Sequence, residues 1–452
     1  RRLAQVLLLG LFPTTCVFRA GVGAMTDHRR GIRIADASGG RWRRPGSAGA
    51  AALWVLLALA LCISLLRRSR LGTALLGGES GSGRQQQQQQ PLPTPDALRS
   101  RLPVPHRLRR FVNESRVAAS AILRGQDDRL LAIVGPCSIH DPTAAREYAH
   151  RLREAADAHK SDLLIFMRVY LEKPRTTGGW RGLVSDPDLS GEEDVARGLE
   201  LGRRVLLDVN SAGLAAATEF LDPLVAPFFE DLVAYGSIGA RTVESPMHRA
   251  LAADLSMPMG FKNPRSGELQ GAVNAAIAAA APQRRLATDG RGRLRLAEAP
   301  GNEDGHVILR GGEGGPNFDN ASVTEAAQLQ AAAGLAARRV VVDCSHMNSG
   351  KKHEGQLISC RGVAEQVAAG SPAVGGVMIE SFLEAGNQPL DPGVTKLSGL
   401  RYGQSVTDAC LDFASTEGLI SELAASVRAR RERAVLVGWR SAAALGSGER
   451  SE

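Results

Sequence analysis

The chain has 452 residues, of which 44% are hydrophobic and 4% aromatic, and this suits one large α/β barrel with extensions and an Ala/Leu/Val-packed interior. The net charge of +8 arises in the first 70 residues, which hold twelve Arg, no Lys and two Asp, whereas the other 382 residues carry 43 basic and 45 acidic side chains. A body so close to neutral argues against a surface that coats nucleic acid, and we expect no nucleic-acid partner.

Residues 1–90 differ in composition from the rest. Residues 48–66 form a run of nineteen apolar residues with arginines on both flanks, long enough to span a bilayer. Arg-rich, acid-poor composition is also typical of organelle-targeting segments, and because the chain begins with Arg rather than Met, a wrong gene model is a third alternative. A Gln- and Pro-rich linker occupies residues 79–95, so the folded part is predicted to begin at about Pro91.

The six cysteines, at positions 16, 62, 137, 344, 360 and 410, are widely separated and include no CxxC pair. This spacing indicates reduced thiols in a reducing compartment rather than a disulfide framework. We therefore expect a cytoplasmic protein, while the apolar segment 48–66 leaves organelle targeting or membrane anchoring open.

From residue 91 onward, helical patterns alternate with short apolar runs. Residues 91–129 are predicted to be a helical lead-in, residues 130–434 a catalytic barrel and residues 435–452 a tail. The strand candidates lack polar alternation, as expected when both faces of a strand are covered. They are LLAIVGPCS, LLIFMRVY, RVLLDVN, LVAYGSIGA, MPMGFKN, HVILRGG, RRVVVDCSH and AVGGVMIES.

About eight strands separated by mostly Ala-rich helices predict a (β/α)8 TIM barrel with right-handed crossovers. One stretch departs from the cycle: RRLATDGRGRLRLAEA alternates around a DGRG turn and is predicted to be an inserted β-hairpin. An open doubly wound sheet is the alternative fold, weakened because no GxGxxG follows the first strand.

Polar side chains cluster at the predicted strand ends, where parallel barrels carry their chemistry. Cations so close to buried strands are costly unless anions meet them, and two phosphorylated ligands, at least one with a carboxylate, would balance six cations better than one phosphate. For any single cation, a structural ion pair with Glu172, Glu219 or Glu244 is an equally open alternative. The six cations are Arg168, Lys173, Arg175, Arg241, Lys262 and Arg310.

A second group at the strand ends combines one thiol, one imidazole and two carboxylates: Cys137, His346, Glu380 and Asp408. This mixed set of ligand types suits one borderline divalent ion such as Mn, Fe, Co or Zn. Taken singly, a buried Cys is more often a small hydrophobe, and a His at a strand end is more often a hydrogen-bonded core residue.

Several segments, taken in their order along the chain, resemble those of the class I 3-deoxy-7-phosphoheptulonate (DAHP) synthases. The resemblance covers about residues 91 to 434. The segments are GPCSIHDP, MRVYLEKPRTTGGWRGL, GARTVES, GFKN, GNEDGHVILRGG, DCSHMNSGKKH, GVMIES and SVTDAC. The resemblance implies a metal-dependent condensation of phosphoenolpyruvate with erythrose 4-phosphate, the first step of the shikimate pathway to aromatic amino acids. It also implies feedback inhibition by an aromatic amino acid and a homo-oligomer, either a dimer or a tetramer.

By the same resemblance, the phosphoenolpyruvate site comprises Arg168, Arg241, Lys262 and Arg310, with the backbone at Gly239 and Ala240. The sugar-phosphate loop comprises Lys173, Pro174, Arg175 and Thr176. The divalent ion is implied at Cys137, His346, Glu380 and Asp408. The side chains implied in catalysis are Lys173 and His346, and the proton-transfer group is open between these two and a metal-bound water.

Two other functions stay open at this point. One is the sister condensation with arabinose 5-phosphate, as in 3-deoxy-octulosonate 8-phosphate synthase, against which the KPRTT segment argues. The other is a catalytically inactive barrel that only binds aromatic amino acids, which the complete set of cations and metal-ligand types opposes. The chain also departs from the family pattern: Pro264 and Arg265 stand where Gly-Thr is usual, and Met347 stands where Ala is usual.

Overall fold

A computed structural model describes residues 91–175, 178–391 and 393–446, with side chains as far as residue 436. Two lead-in helices, α1 (Pro95–Arg101) and α2 (His106–Leu123), precede the first strand. Helix α1 begins with Pro95 in its first turn, and the Thr94 side chain accepts a hydrogen bond from the backbone N–H of Ala97. The predicted helical lead-in thus forms two separate helices.

Eight parallel strands form a barrel: β1 (Leu130–Gly135), β2 (Leu163–Arg168), β3 (Ala215–Glu219), β4 (Val233–Ile238), β5 (Met259–Lys262), β8 (Gly305–Leu309), β9 (Val340–Asp343) and β10 (Val374–Glu380). The barrel closes in the order β1-β10-β9-β8-β5-β4-β3-β2. The first and last strands pair with each other, from Leu131 opposite Gly376 to Gly135 opposite Glu380. The (β/α)8 barrel predicted from the sequence is confirmed, and the open doubly wound sheet is wrong because the sheet has closed.

Helices surround the barrel between successive strands. They are α3 (Pro142–Ala158), α4 (Val195–Ser211), α5 (Ala226–Phe229), α6 (Pro246–Asp254), α7 (Gln270–Ala280), α8 (Asn320–Ala332), α9 (Gly355–Ala368) and α10 (Phe413–Gly446), with 3-10 turns at Glu230–Leu232 and Leu397–Gly399. The predicted insertion is an antiparallel hairpin, β6 (Gln283–Thr288) with β7 (Leu294–Ala299), and a short parallel pair joins β11 (Glu384–Asn387) to β12 (Gln404–Ser405).

Alternate residues of each strand enter different cores. Leu131 and Ile133 of β1 join a cluster inside the barrel, whereas Leu130 and Ala132 join the larger cluster between strands and helices. Residues of α2 belong to the inner cluster, and the carbonyl of Leu123 accepts hydrogen bonds from the backbone N–H groups that precede β9. Helix α2 therefore covers the N-terminal end of the barrel and leaves the C-terminal end for a site.

One strand prediction is wrong. The run RVLLDVN, residues 204–210, lies inside helix α4, and the third strand is instead the Ala-rich segment Ala215–Glu219. The buried residues of α4 include Leu199, Arg203, Leu206 and Asn210, which recur every three or four positions as on one face of a helix.

Several sequence predictions lie outside the described residues, namely the extension 1–90 with its apolar segment 48–66, and the end of the tail beyond residue 446. Among the helices that the structure does describe, none combines the length and apolarity that crossing a bilayer requires. The four cysteines in the described part of the chain are all buried free thiols.

Candidate active site

A cavity of about 410 Å³ opens at the C-terminal ends of the barrel strands. Nine basic side chains line it against three carboxylates, those of Glu219, Glu380 and Asp408. The basic residues are Arg168, Lys173, Arg175, Arg241, Lys262, Arg265, Arg310, Lys351 and Lys352. This excess of positive charge, set in a concave site with buried walls, is suited to anionic ligands.

Arg168, the last residue of β2, is a fully buried cation at the cavity floor. Its Nη2 donates to Glu380 Oε1 at 3.0 Å, and its guanidinium carbon lies 4.0 Å from the centre of the Tyr170 ring. Burial opposes the charged form, but Tyr170 and Glu380 outweigh it, so the pKa of Arg168 lies above its ordinary value. The Nη1 group is buried without a hydrogen-bond partner, which leaves one donor available to a ligand.

Lys262 ends β5, and its Nζ lies 2.9 Å from Asp343 Oδ2 at the end of β9. Burial disfavours both charges, yet each partner favours the other, so the pKa of Lys262 is raised and that of Asp343 is lowered well below its usual range. His346 contributes to the low pKa of Asp343 because its Nδ1 lies 2.9 Å from the same Oδ2 atom. Lys262 and His346, which line the cavity, thus meet at the buried carboxylate of Asp343.

Arg241, Arg265 and Arg310 also line the cavity, and no acidic oxygen of the described residues lies within 4.0 Å of any of their nitrogens. Burial lowers the pKa of Arg310, and the two neighbouring arginines lower it further against the opposing effect of Asp343. Three guanidinium groups in this arrangement lack the countercharge that a phosphate or carboxylate ligand would supply.

Gly239 and Ala240 line the cavity just after β4. A Cβ atom added at Gly239 would collide with Glu219 Oε1, so a larger residue there would require the Glu219 side chain to move.

Three of the four predicted metal ligands converge at the junction of β1 and β10. One ligand atom each of Cys137, Glu380 and Asp408 lies within 4.8 Å of the others. Glu380 is fixed by Arg168 and by Ser345, whose Oγ donates to Oε2 at 3.0 Å. The loop that carries Cys137 and the loop that carries Asp408 are joined by a hydrogen bond between Ser138 Oγ and Thr407 Oγ1, which lie 2.7 Å apart.

His346 stands beside this group, with its Nε2 3.9 Å from Glu380 Oε1. Its backbone φ of 59° lies in the left-handed region, which is strained for a non-glycine residue, and Lys351 in the same turn has a φ of 63°. The turn is closed by the backbone N–H of Lys351, which donates to the carbonyl of His346 at 2.7 Å. A thiol, an imidazole and two carboxylates that lie together at the cavity form a set of donors that suits a borderline divalent ion.

Lys173 lies between two of these groups, with Nζ 2.8 Å from Cys137 Sγ and 3.4 Å from Asp408 Oδ2. Lys173 lowers the pKa of the Asp408 carboxyl to about 2 despite partial desolvation, whereas burial raises the pKa of the Cys137 thiol to about 12. Burial would lower the pKa of Lys173, but Cys137 and Asp408 outweigh it and raise that pKa.

Lys173, Pro174 and Arg175 of the KPRTT segment lie at the cavity. Thr176 lies outside the described residues. The Nε of Arg175 donates to the carbonyl of Trp180 at 2.8 Å, and the buried Trp180 indole donates to the carbonyl of Asp186 at 2.7 Å. The aromatic side chain thus anchors the loop that carries Arg175.

Sequence reasoning missed three cavity cations: Arg265, Lys351 and Lys352. All three lie on loops beyond the strand ends and are exposed, so apolar strand patterns gave no signal for them. The basic pair in SGKKH and the replacement of Gly-Thr by Pro264-Arg265 were the available hints.

The family comparison agrees with this architecture. Residues 110–420 match the model of the DAHP synthetase I family. The chain is 45% identical over 364 residues to a phospho-2-dehydro-3-deoxyheptonate aldolase of Corynebacterium glutamicum, covering 80% of this chain and 98% of that protein. It is also 45% identical over 337 residues to the Phe-sensitive enzyme of that name from Escherichia coli K12, covering 75% and 95% of the two chains.

A solved structure of the aldolase from Francisella tularensis superposes with a TM-score of 0.73 at 43% identity, covering 76% of this chain and 99% of that one. Identity at this level, over nearly the whole length of the relatives, spans the barrel and the loops that line the cavity. The chain therefore belongs to the DAHP synthetase I family.

Proposed function

We propose that this protein is a metal-dependent DAHP synthase. It would join phosphoenolpyruvate, erythrose 4-phosphate and water to give 3-deoxy-D-arabino-heptulosonate 7-phosphate and phosphate. The observation that carries the proposal is the excess of positive charge around one cavity, which nine cations and only three carboxylates line. Two phosphates and one carboxylate, brought by two substrates, would offset much of this positive charge.

Phosphoenolpyruvate is assigned to Arg168, Arg241, Lys262 and Arg310, with the backbone of Gly239 and Ala240. The unpartnered Nη1 of the buried Arg168 supports this assignment, because a buried donor without an acceptor is costly until a ligand satisfies it. The phosphate group of erythrose 4-phosphate is assigned to the segment of Lys173, Pro174, Arg175 and Thr176.

Cys137, His346, Glu380 and Asp408 would hold the divalent ion, with Mn, Fe, Co and Zn all compatible with the donor set. When bound, the ion supplies Lewis-acid polarisation of the aldehyde of erythrose 4-phosphate. The fit is supported by the convergence of a thiol and two carboxylates within 4.8 Å.

The bond-forming step joins C3 of phosphoenolpyruvate to the aldehyde carbon and leaves positive character at C2. Water then adds at C2, and the C–O bond to phosphate breaks. The cationic walls hold both reactants in attack geometry and stabilise the charge that develops in a desolvated site. Lys173 lies beside the proposed ion ligands Cys137 and Asp408, which favour its protonated form, and it would give a proton to the new alkoxide. His346 is the second group proposed for proton transfer.

The proposed regulation rests on the names of two groups of relatives. Relatives are named Phe-sensitive in Escherichia coli and Trp-sensitive in Enterobacter agglomerans. We propose that an aromatic amino acid inhibits this protein too, and that it forms a dimer or tetramer. Activity with Phe, Tyr and Trp in turn, and sedimentation of the purified protein, measure these two properties.

The deciding assay mixes chelator-treated protein with phosphoenolpyruvate and erythrose 4-phosphate and restores Mn, Fe, Co or Zn separately. Release of phosphate together with a seven-carbon product is expected only when an ion is restored. A parallel reaction offers arabinose 5-phosphate. A preference for that sugar would assign the sister condensation, and no turnover with any ion would refute the proposal.

A further inference from the structure

Three buried asparagines connect the loops that follow β5, β8 and β9. They are Asn263, Asn317 and Asn348, each at least about nine-tenths buried. Asn317 Nδ2 donates to Asn263 Oδ1 at 3.3 Å, and the backbone N–H of Asn317 donates to Asn348 Oδ1 at 2.8 Å. None of the three carries a charge, and none lines the cavity.

The asparagines converge on the backbone around Arg310. Asn348 donates to the carbonyl of Leu309 at 3.1 Å, and the N–H of Arg310 donates to Asn263 Oδ1 at 2.8 Å. The N–H of Gly311 donates to Asn317 Oδ1 at 2.6 Å, and the carbonyl of Gly311 accepts from Asn263 at 2.9 Å.

The remaining group of this stretch, the carbonyl of Arg310, accepts a hydrogen bond from the backbone N–H of Met347 at 3.2 Å. Every backbone polar group from the carbonyl of Leu309 to that of Gly311 is therefore bonded. Gly311 has a φ of +71°, and a Cβ atom there would lie 2.7 Å from the Cβ of Met347, so the two loops pack without room for a side chain.

The same network reaches the segment that carries Asp343 and His346. Asn348 also donates to the carbonyl of Asp343 at 2.9 Å, so one amide group bonds both the end of β8 and the end of β9. A displacement of Arg310 would break bonds that hold the 343–348 segment, and the reverse is equally true.

We infer that Asn263, Asn317 and Asn348 are positioning residues that fix Arg310 to the 343–348 segment, so that binding of phosphoenolpyruvate and binding of the divalent ion strengthen each other. This inference rests on the proposed function. The coupling is reciprocal by linkage: a ligand that orders Arg310 orders the segment holding His346, and an ion at His346 orders Arg310. The asparagines themselves touch neither ligand.

The chain offers a matched control at the opposite end of the barrel. Asn302 is 7% exposed, and its Nδ2 donates to the carbonyls of Leu255 and Met257, both at 2.8 Å. It precedes β8 instead of following it, so Asn302→Ala removes comparable backbone hydrogen bonds far from the cavity. The change in thermal stability of this variant measures what the loss of a buried asparagine costs when no cavity residue is displaced.

The test compares Asn317→Ser, Asn348→Ala and Asn302→Ala as full-length proteins. Two quantities are measured: the separate KM values for both substrates with kcat, and Mn²⁺ affinity of the chelated protein with and without phosphoenolpyruvate. For the first two variants we expect KM for phosphoenolpyruvate to rise about tenfold and KM for erythrose 4-phosphate to change by less than about twofold. Phosphoenolpyruvate should tighten Mn²⁺ binding in the wild type and in Asn302→Ala, and much less in the other two.

If all three variants lose thermal stability alike while KM and the Mn²⁺ coupling stay at wild-type values, the network is structural and the inference is overturned. Absence of coupling in the wild type also overturns it. The Mn²⁺ titration needs no turnover, so it separates this inference from the proposed function: an inactive wild type refutes the reaction, whereas an active wild type with unaffected asparagine variants refutes only the positioning role. The milder serine variant serves if an alanine variant fails to fold.

Discussion

The ammonium nitrogen of Lys173 lies 2.8 Å from the Sγ atom of Cys137, at the junction of the first and last barrel strands. Cys137 is fully buried, and apolar packing alone does not explain why its thiol lies next to an ammonium group. The pair fits a site in which the sulfur binds an ion and the ammonium faces the substrate.

Replacing Cys137 by Ala tests the ion site. Removal of a thiolate ligand should lower kcat by about 100-fold or more and weaken Mn²⁺ binding, because the ion loses a donor that the remaining groups cannot replace. Cys360→Ala is the control, since Cys360 is equally buried but lies on helix α9. Full activity of Cys137→Ala, with the fold intact by circular dichroism, would rule out the proposed ligand set.

Lys173→Met tests proton transfer. The methionine side chain keeps most of the length of lysine but cannot donate a proton, so we expect kcat to fall roughly 100- to 10,000-fold. The thermal midpoint should fall only modestly, because the Asp408 side chain that loses its ion-pair partner is 64% exposed and its carboxylate can be solvated by water. A variant that retains kcat and loses only affinity for erythrose 4-phosphate would show that Lys173 binds the sugar phosphate without transferring a proton.

Arg265→Thr tests a cavity cation at a position where the sequence departs from the pattern expected for the family. Arg265 is exposed, lines the cavity and has no acidic partner among the described side chains, so it acts through its field and not through a fixed ion pair. We expect KM for phosphoenolpyruvate to rise roughly fivefold at low salt and the difference to shrink at high salt. Arg291→Thr, in the hairpin turn, is the control; equal effects of the two substitutions would contradict a local role for Arg265.

His306 gives the protein an acid-sensitive core. Its Nδ1 lies 2.9 Å from the carbonyl of Asp304 and its Nε2 lies 2.7 Å from the hydroxyl of Tyr235, an arrangement that suits the neutral ring with a proton on Nδ1. Burial lowers the pKa of His306 to about 4 from its ordinary 6.5. The folded state therefore keeps the ring neutral at pH values where the unfolded chain protonates it.

The direction in which stability changes with pH follows from the linkage between protonation and folding. The stability contributed by His306 is complete above pH 6.5, falls as the pH drops toward 4, and levels off below that, with a total loss of about 3 kcal/mol. His306→Gln should remove this part of the slope when the free energy of unfolding is measured by urea titration across that range. An unchanged slope in the variant would mean that other groups carry the acid sensitivity.

The strand order and most of the cavity were predictable because they leave local patterns. Short apolar runs ending in Arg168, Lys262, Arg310 or Glu380 combine a buried strand with a costly polar terminus, and barrel geometry brings such termini together. The inserted hairpin was predictable from its alternation and its turn residues.

The third strand was not predictable in the same way. AAATE has low strand propensity and is held by pairing with β2 and β4, whereas RVLLDVN is rich in Val and Leu but belongs to helix α4, whose buried face packs toward the barrel. Arg265, Lys351 and Lys352 escaped detection because exposed loops carry no periodicity. The asparagine network escaped because its hydrogen bonds join positions up to 54 residues apart.

The pairing of β1 with β10 has a consequence for the newly made chain. Cys137 follows the first strand and Asp408 comes after the last, 271 positions later in the sequence. A ribosome-bound fragment that stops before Asp408 would lack one carboxylate of the proposed ion site, so all four proposed donors could meet only after the barrel has closed. Any free energy that an ion contributes through all four donors would then stabilise the closed barrel in preference to its shorter precursors.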